Sequence, residues 1–179
     1  MSVQKSARVF LGALLMLGFG AASAMADVAV STNVNSVTQV TTGGSSPTLT
    51  LTTVNSTTNR FNDATDNSSA TYSVFNDAAP VGTIKIKGSF TGDTLPDGLE
   101  LKLALTAPSD AGTSSGTKTF TGANQTTEQI LVTGISTANQ GAGSQNKAIS
   151  FTLHQATGTA VTATTTSVDV TLVLTIIDE

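Results

Sequence analysis

Apolar residues recur at every second position through much of this chain, the signature of strands with one buried face. Leu99-Glu100-Leu101-Lys102-Leu103-Ala104-Leu105 places four leucines on one side and Glu100 and Lys102 on the other. Within Val81–Phe90, residues Ile84, Ile86 and Phe90 fall in phase, with Lys85 and Lys87 turned toward water. The same period predicts strands over Thr48–Val54, Ala70–Phe75, Thr117–Thr121, Gln129–Ile135 (Ile130 and Val132 in phase) and Ala148–Leu153. The last alternation, Ser167–Ile177, lines up Val168, Val170, Leu172, Leu174 and Ile176 as one apolar stripe. Val173 and Ile177 make its far end apolar on both faces, which fits a central strand or one paired with another chain. Between these segments, Asn55–Ala70, Pro108–Gly116 and residues 137–147 read as loops, and Asp97-Gly98 as a tight turn. The expected core is Leu49, Leu51, Ile84, Ile86, Phe90, Leu99, Leu101, Leu103, Leu105, Ile149, Phe151, Leu153, Val170, Leu172 and Leu174, each on the apolar phase of its strand.

Composition points the same way. Threonine dominates, valine is abundant, and no window sustains a 3.6-residue apolar period. Branching at Cβ stiffens both side chains and favours pleated strands. Counting the N-terminal alternation discussed below, about nine short strands at roughly 10- to 15-residue spacing favour an all-β, two-sheet sandwich.

Residues 1–26 read as a secretory signal peptide. Lys5 and Arg8 supply the positive start, Val9–Phe19 is an apolar run broken only by glycines, and Ala24 and Ala26 provide the small residues of a cleavage site. N-terminal sequencing of exported protein is expected to begin at Asp27; a start at Met25 would move the cleavage site back to Ala24. Cleavage leaves 153 of the 179 residues, about one ordinary domain. In that part Arg60, Lys85, Lys87, Lys102, Lys118 and Lys147 face twelve acidic residues, a net charge of −6. An acidic chain with scattered lysines lacks the basic footprint that nucleic acid requires. No later segment has the apolar length of a membrane-spanning helix. Cysteine is absent, which excludes disulfides and thiolate chemistry.

Candidate chemistry is sparse. His154 is the only histidine; as a general base it would need a serine and a carboxylate beside it, and its position reads instead as a solvated strand end. Asp63, Asp66, Asp93 and Asp97 lie in expected loops but match no calcium-loop spacing, so turn chemistry explains them better. The glycine pairs do not stand between a strand and a helix, so they form no phosphate loop. The expectation is a non-enzyme without cofactor or metal.

The segment behind the leader carries the functional argument. Over Asp27–Val40 the even positions are Val28, Val30, Thr32, Val34, Ser36, Thr38 and Val40, against mostly polar odd positions. Gly43-Gly44-Ser45-Ser46-Pro47 follows as a flexible sequence. Two readings stand side by side: the first strand of the chain's own sandwich, or a strand donated to another copy across a hinge at 43–47.

A signal peptide, a Val/Thr-alternating N-terminal extension, a Thr-rich all-β domain and an alternating C-terminal strand together resemble a bacterial fimbrial subunit of the chaperone–usher type. The resemblance covers the whole mature chain and rests on pattern, not on a diagnostic motif. It implies an immunoglobulin-like sandwich (48–179) that is incomplete and is completed by donor-strand exchange from a neighbour's extension (27–42). The donor face would be Val28, Val30, Thr32 and Val34; the acceptor groove would be flanked by Val168, Val170, Leu172, Leu174 and Ile176. The partners implied are further copies of the chain, a periplasmic chaperone and an outer-membrane usher, and the location is the extracellular cell surface. The sequence departs from the pattern in lacking the cysteine pair of many such subunits and the aromatic near the C-terminus. The rival is a self-contained secreted β-sandwich that acts as a binding module or a surface or matrix protein.

Overall fold

The computed structural model describes residues 38–76, 83–109, 112–136, 145–161 and 167–178, all within one compact unit, Asn35–Glu179. Eleven strands follow in order: β1 (Thr38–Gly44), β2 (Val54–Asn55), β3 (Arg60–Phe61), β4 (Ala64–Asn76), β5 (Ile84–Gly92), β6 (Leu99–Leu105), β7 (Thr113–Ser114), β8 (Lys118–Phe120), β9 (Gln129–Ile135), β10 (Lys147–Gln155) and β11 (Val170–Asp178). They form a five-stranded sheet ordered β1-β4-β10-β6-β8, a four-stranded sheet ordered β11-β5-β9-β7, and the small β2-β3 ladder. Every pairing is antiparallel. The described part of the chain is all-β, and it holds no helix long and apolar enough to cross a membrane.

Both large sheets contribute to one core. Tyr72 and Val74 of β4, Leu101, Leu103 and Leu105 of β6, Phe120 of β8, and Ile149 and Phe151 of β10 come from the first. Ile84, Ile86 and Phe90 of β5 and Leu131, Val132 and Ile135 of β9 come from the second. Phe90 and Phe120 meet edge to face across the sheets, ring centres 5.0 Å apart at 85°, the arrangement that ring quadrupoles favour. Tyr72 is fully buried and donates its hydroxyl to the Thr106 carbonyl at 2.6 Å. Burial holds its phenol neutral well above the ordinary tyrosine range. Gln125 is 3 % exposed and closes the end of this core. Its side chain donates to the Asp93 carbonyl and accepts from the Leu95 amide, while its own carbonyl accepts from Phe90.

Several expectations are corrected by the strand partners. The polar stretch Asn55–Ala70 is no single loop, because β3 and the first half of β4 lie within it. Ala64 and Thr65 pair with Leu153 and Thr152 of β10, so main-chain partners place a polar sequence in the sheet. Between Ile149 and Phe151 the β4 chain advances four residues against two of β10, a bulge held by Asp66. Its carboxylate accepts from the amides of Ser68 and Ser69 and from the Ser69 hydroxyl. The Ser69 hydroxyl, then its amide, lowers the Asp66 pKa. The folded value lies below the unfolded one, so this contribution is present at neutral pH and is lost as pH falls below about 4.

Thr48–Thr53, expected as a strand, joins no ladder among the described residues; only Val54 does. Leu49 still packs against the core, and both Leu49 and Leu51 are half-buried. In β9 the ladder to β5 is irregular beside Ile86, which turns Leu131 and Val132 inward and leaves Ile130 37 % exposed, contrary to the expected phase. Leu99 and Leu153, at strand ends, are half-buried rather than core.

The expected boundary between extension and hinge also moves. Thr38–Gly44 is strand β1, paired with β4 from Thr38↔Asn76 to Gly44↔Ala70, and Val40 packs against the core. Residues 38–42 therefore belong to the domain and not to a free extension. Gly43 and Gly44 are no hinge either. Gly44 has φ +80°, and a Cβ there would meet the Ser69 carbonyl oxygen at 2.1 Å, so glycine serves a close strand approach.

Asn76 ties this end together. It is fully buried; its amide nitrogen donates to the carbonyls of Ile135 (3.3 Å) and Ser136 (2.8 Å), and its oxygen accepts from the Thr38 hydroxyl. One side chain thus joins the start of β1 to the end of β9. Asn76→Ala is expected to cost about 1–3 kcal/mol, since it orphans buried polar partners, read as a lower urea midpoint at unchanged m.

Candidate functional site: an open edge and a polar cleft

β11 is the outermost strand of the four-stranded sheet and pairs with β5 over all nine residues, Val170↔Gly92 to Asp178↔Ile84. Its other edge has no ladder partner among the described residues. The free edge runs for about 30 Å at the usual rise per residue. Its sequence, Val-Thr-Leu-Val-Leu-Thr-Ile-Ile-Asp, contains no proline or lysine to blunt the edge, and Asp178 is its one charge.

The side chains report the same one-sided environment. Val170, Leu172, Leu174 and Ile176 pack on the core yet remain half-buried. The inward residues of neighbouring β5, by contrast, are almost fully covered: Ile84, Ile86 and Phe90 are 3 %, 0 % and 1 % exposed. Val168, just before β11, is also half-buried. The sequence placed Val170, Leu172 and Leu174 in the closed core, and the edge position of β11 explains why they are only partly covered. On the opposite face Val173 is 39 % exposed.

β1 is the outermost strand of the five-stranded sheet. β1 and β11 lie against each other without a hydrogen-bonded ladder. The two sheets are thus not closed to one another along this side. Val40 from β1 and Val170, Leu172, Leu174 and Ile176 from β11 pack on the core at this side. Of the five residues expected to flank an acceptor groove, Val170, Leu172, Leu174 and Ile176 are brought together on β11 against the core, while Val168 precedes the strand. Val28, Val30, Thr32 and Val34, expected as the donor face, lie outside the described residues, as do Ala24 and Ala26.

A second feature was missed in the sequence. The β2–β3 hairpin folds over the end of β10 and leaves a shallow cleft of about 280 Å³ lined by Asn55, Arg60, Phe61, Asn62, Asp63 and His154 among others. Asn55 caps the turn by accepting from the amides of Thr57 and Thr58. Gln155 is 8 % exposed and pins the hairpin, accepting from the Phe61 amide and donating to the Thr159 carbonyl. Within the cleft His154 Nδ1 lies 2.6 Å from Asp63 Oδ1, so the histidine is a half-buried, paired residue and not a merely solvated strand end. Arg60 donates to the Thr157 hydroxyl at 2.8 Å. These contacts span 91 and 97 residues of sequence, which no local spacing could have signalled.

Two of the other acidic candidates, Asp66 and Asp93, serve the backbone. Asp66 holds its bulge, and Asp93 accepts from the Asp169 amide at 3.1 Å, clasping the start of β11 to the end of β5. Among the described residues no three His, Cys, Asp or Glu side chains converge as a metal site.

Compared with known proteins, the chain matches no family model, no curated sequence and no solved structure.

Proposed function

We propose that this chain is a structural subunit of an extracellular fimbria of the chaperone–usher type, an immunoglobulin-like sandwich completed by a neighbour's N-terminal strand. The carrying observation is β11, nine residues of apolar edge whose inward side chains are only half covered. Such an edge is a template for strand addition and a hazard if left bare. The donor is the segment before β1 in another copy. Val28, Val30, Thr32 and Val34 repeat with period two, as do Val170, Leu172, Leu174 and Ile176 opposite them, so one added strand would cover the groove in a single register. Main-chain hydrogen bonds supply affinity and the alternating pockets supply register. Donor and groove are different surfaces, so the contact does not close on itself and propagates head to tail. A periplasmic chaperone holds the groove before assembly, an usher passes the subunit outward, and the role is structural rather than catalytic.

Deleting residues 27–36, which spares β1, tests the reading. Material sheared from cells that express the deleted chain should show no fibres by electron microscopy, while the intact chain makes them.

The docking of Thr38–Gly44 onto the chain's own β4 favours a second reading, a self-contained secreted module whose first strand is its own. On that reading the deletion leaves surface assembly unchanged.

A further inference from the structure

The structure assigns the Arg60–Asp63–His154 cleft as a binding site for a single sugar residue that carries a carboxylate. This is independent of whether the β11 edge is filled. Outside the leader the chain has one arginine and one histidine, and both line this cleft although 94 positions separate them. Arg60 supplies the positive charge that an anion needs, while the Asp63 carboxylate in the same lining is engaged by His154. Arg60 is steadied at one guanidinium nitrogen by Thr157, and its planar fork keeps further N–H groups for bidentate pairing with a carboxylate.

The remaining groups suit hydroxyls. Asp63 engages Nδ1 of His154, so Nε2 is the ring's remaining hydrogen-bonding atom, accepting from a hydroxyl when neutral and donating when protonated. Asn62 adds an amide that both donates and accepts, and Asn55, whose oxygen caps the turn, adds amide N–H donors. Phe61, half-buried in the same lining, offers an apolar ring for the C–H face of a sugar. The volume, about 280 Å³, sits just under the ~300 Å³ at which small-molecule sites usually begin, room for one ring and not for a chain. The framework is set before any ligand arrives, because Gln155 and the Asn55 turn fix the hairpin from below and from its tip.

The test is saturation-transfer difference NMR on the purified mature chain, with glucuronate, glucose and acetate as separate probes. Glucuronate should give ring-proton signals, with glucose and acetate each about tenfold weaker or silent. Arg60→Gln should weaken glucuronate by roughly tenfold or more, the worth of a charge-assisted hydrogen bond. Asn62→Ala, at an exposed position, should weaken it without risk to the fold. Absence of transfer from glucuronate, equal binding of acetate, or unchanged binding in Arg60→Gln and Asn62→Ala would each overturn the assignment.

Discussion

Cells carrying Val30→Asp or Val34→Asp are expected to export a folded subunit and to make no fibres. In the proposed polymer both side chains enter a groove walled by Leu172, Leu174 and Ile176 on one side and Val40 on the other, all of them packed on the core. A carboxylate placed there loses its water without gaining a partner, which costs several kcal/mol unless it is neutralised. That cost falls on every junction of the polymer. The same substitution at Ser31 or Asn33 falls on the opposite phase of the strand and should be tolerated far better. Folding is untouched, because the closed part of the core is built from residues 72 to 151. The readout is the ladder of heat-stable multimers on a gel, together with electron microscopy. Normal fibres from both variants would exclude donor-strand assembly and leave the self-contained module in its place.

Phe120→Ala should be the most destabilising single truncation within the domain. Phe120 is fully buried on β8, a three-residue strand that pairs only with β6 among the described residues. Its ring is the edge-to-face partner of Phe90 on the opposite sheet, so removing it opens a cavity between the sheets. A buried Phe→Ala change costs about 3–5 kcal/mol, against a total stability of roughly 5–15 kcal/mol for a domain of ordinary size. The protein should unfold at markedly lower urea. A loss below about 1 kcal/mol would mean that the two sheets are not held together through this pair. Truncating Val173, 39 % exposed on the outer face of β11, should change stability by only about 0.5 kcal/mol.

The alternation of Leu99–Leu105 reads directly as β6, with Leu101, Leu103 and Leu105 buried. Ile84, Ile86, Phe90, Ile149 and Phe151 likewise follow their phase into the core. These residues are legible because the direction of a side chain along an extended backbone is a local property with period two. The all-β class follows from the same source, since valine and threonine act on their own torsions.

Whether an extended segment becomes a strand is not local, because it depends on a main-chain partner elsewhere. Thr48–Thr53 alternates cleanly and finds no ladder among the described residues, whereas polar Ala64–Ser69 falls within β4 because β10 lies alongside. Gly43-Gly44 reads as a hinge until the Ser69 carbonyl is placed against it. Asn76 and Gln125 look like ordinary loop polars, yet both are buried, each hydrogen-bonding to strands or turns distant in the chain. The stripe Val168–Ile176 was visible in the sequence. That it lies on an open side was decided only by the sheet order, which makes β11 and β1 outermost and leaves them unladdered to each other. The meeting of Arg60 and Asp63 with His154 likewise required the β2–β3 hairpin to fold over β10. Sequence determines which face of each strand is apolar; the pairing of distant strands decides which of those faces is closed.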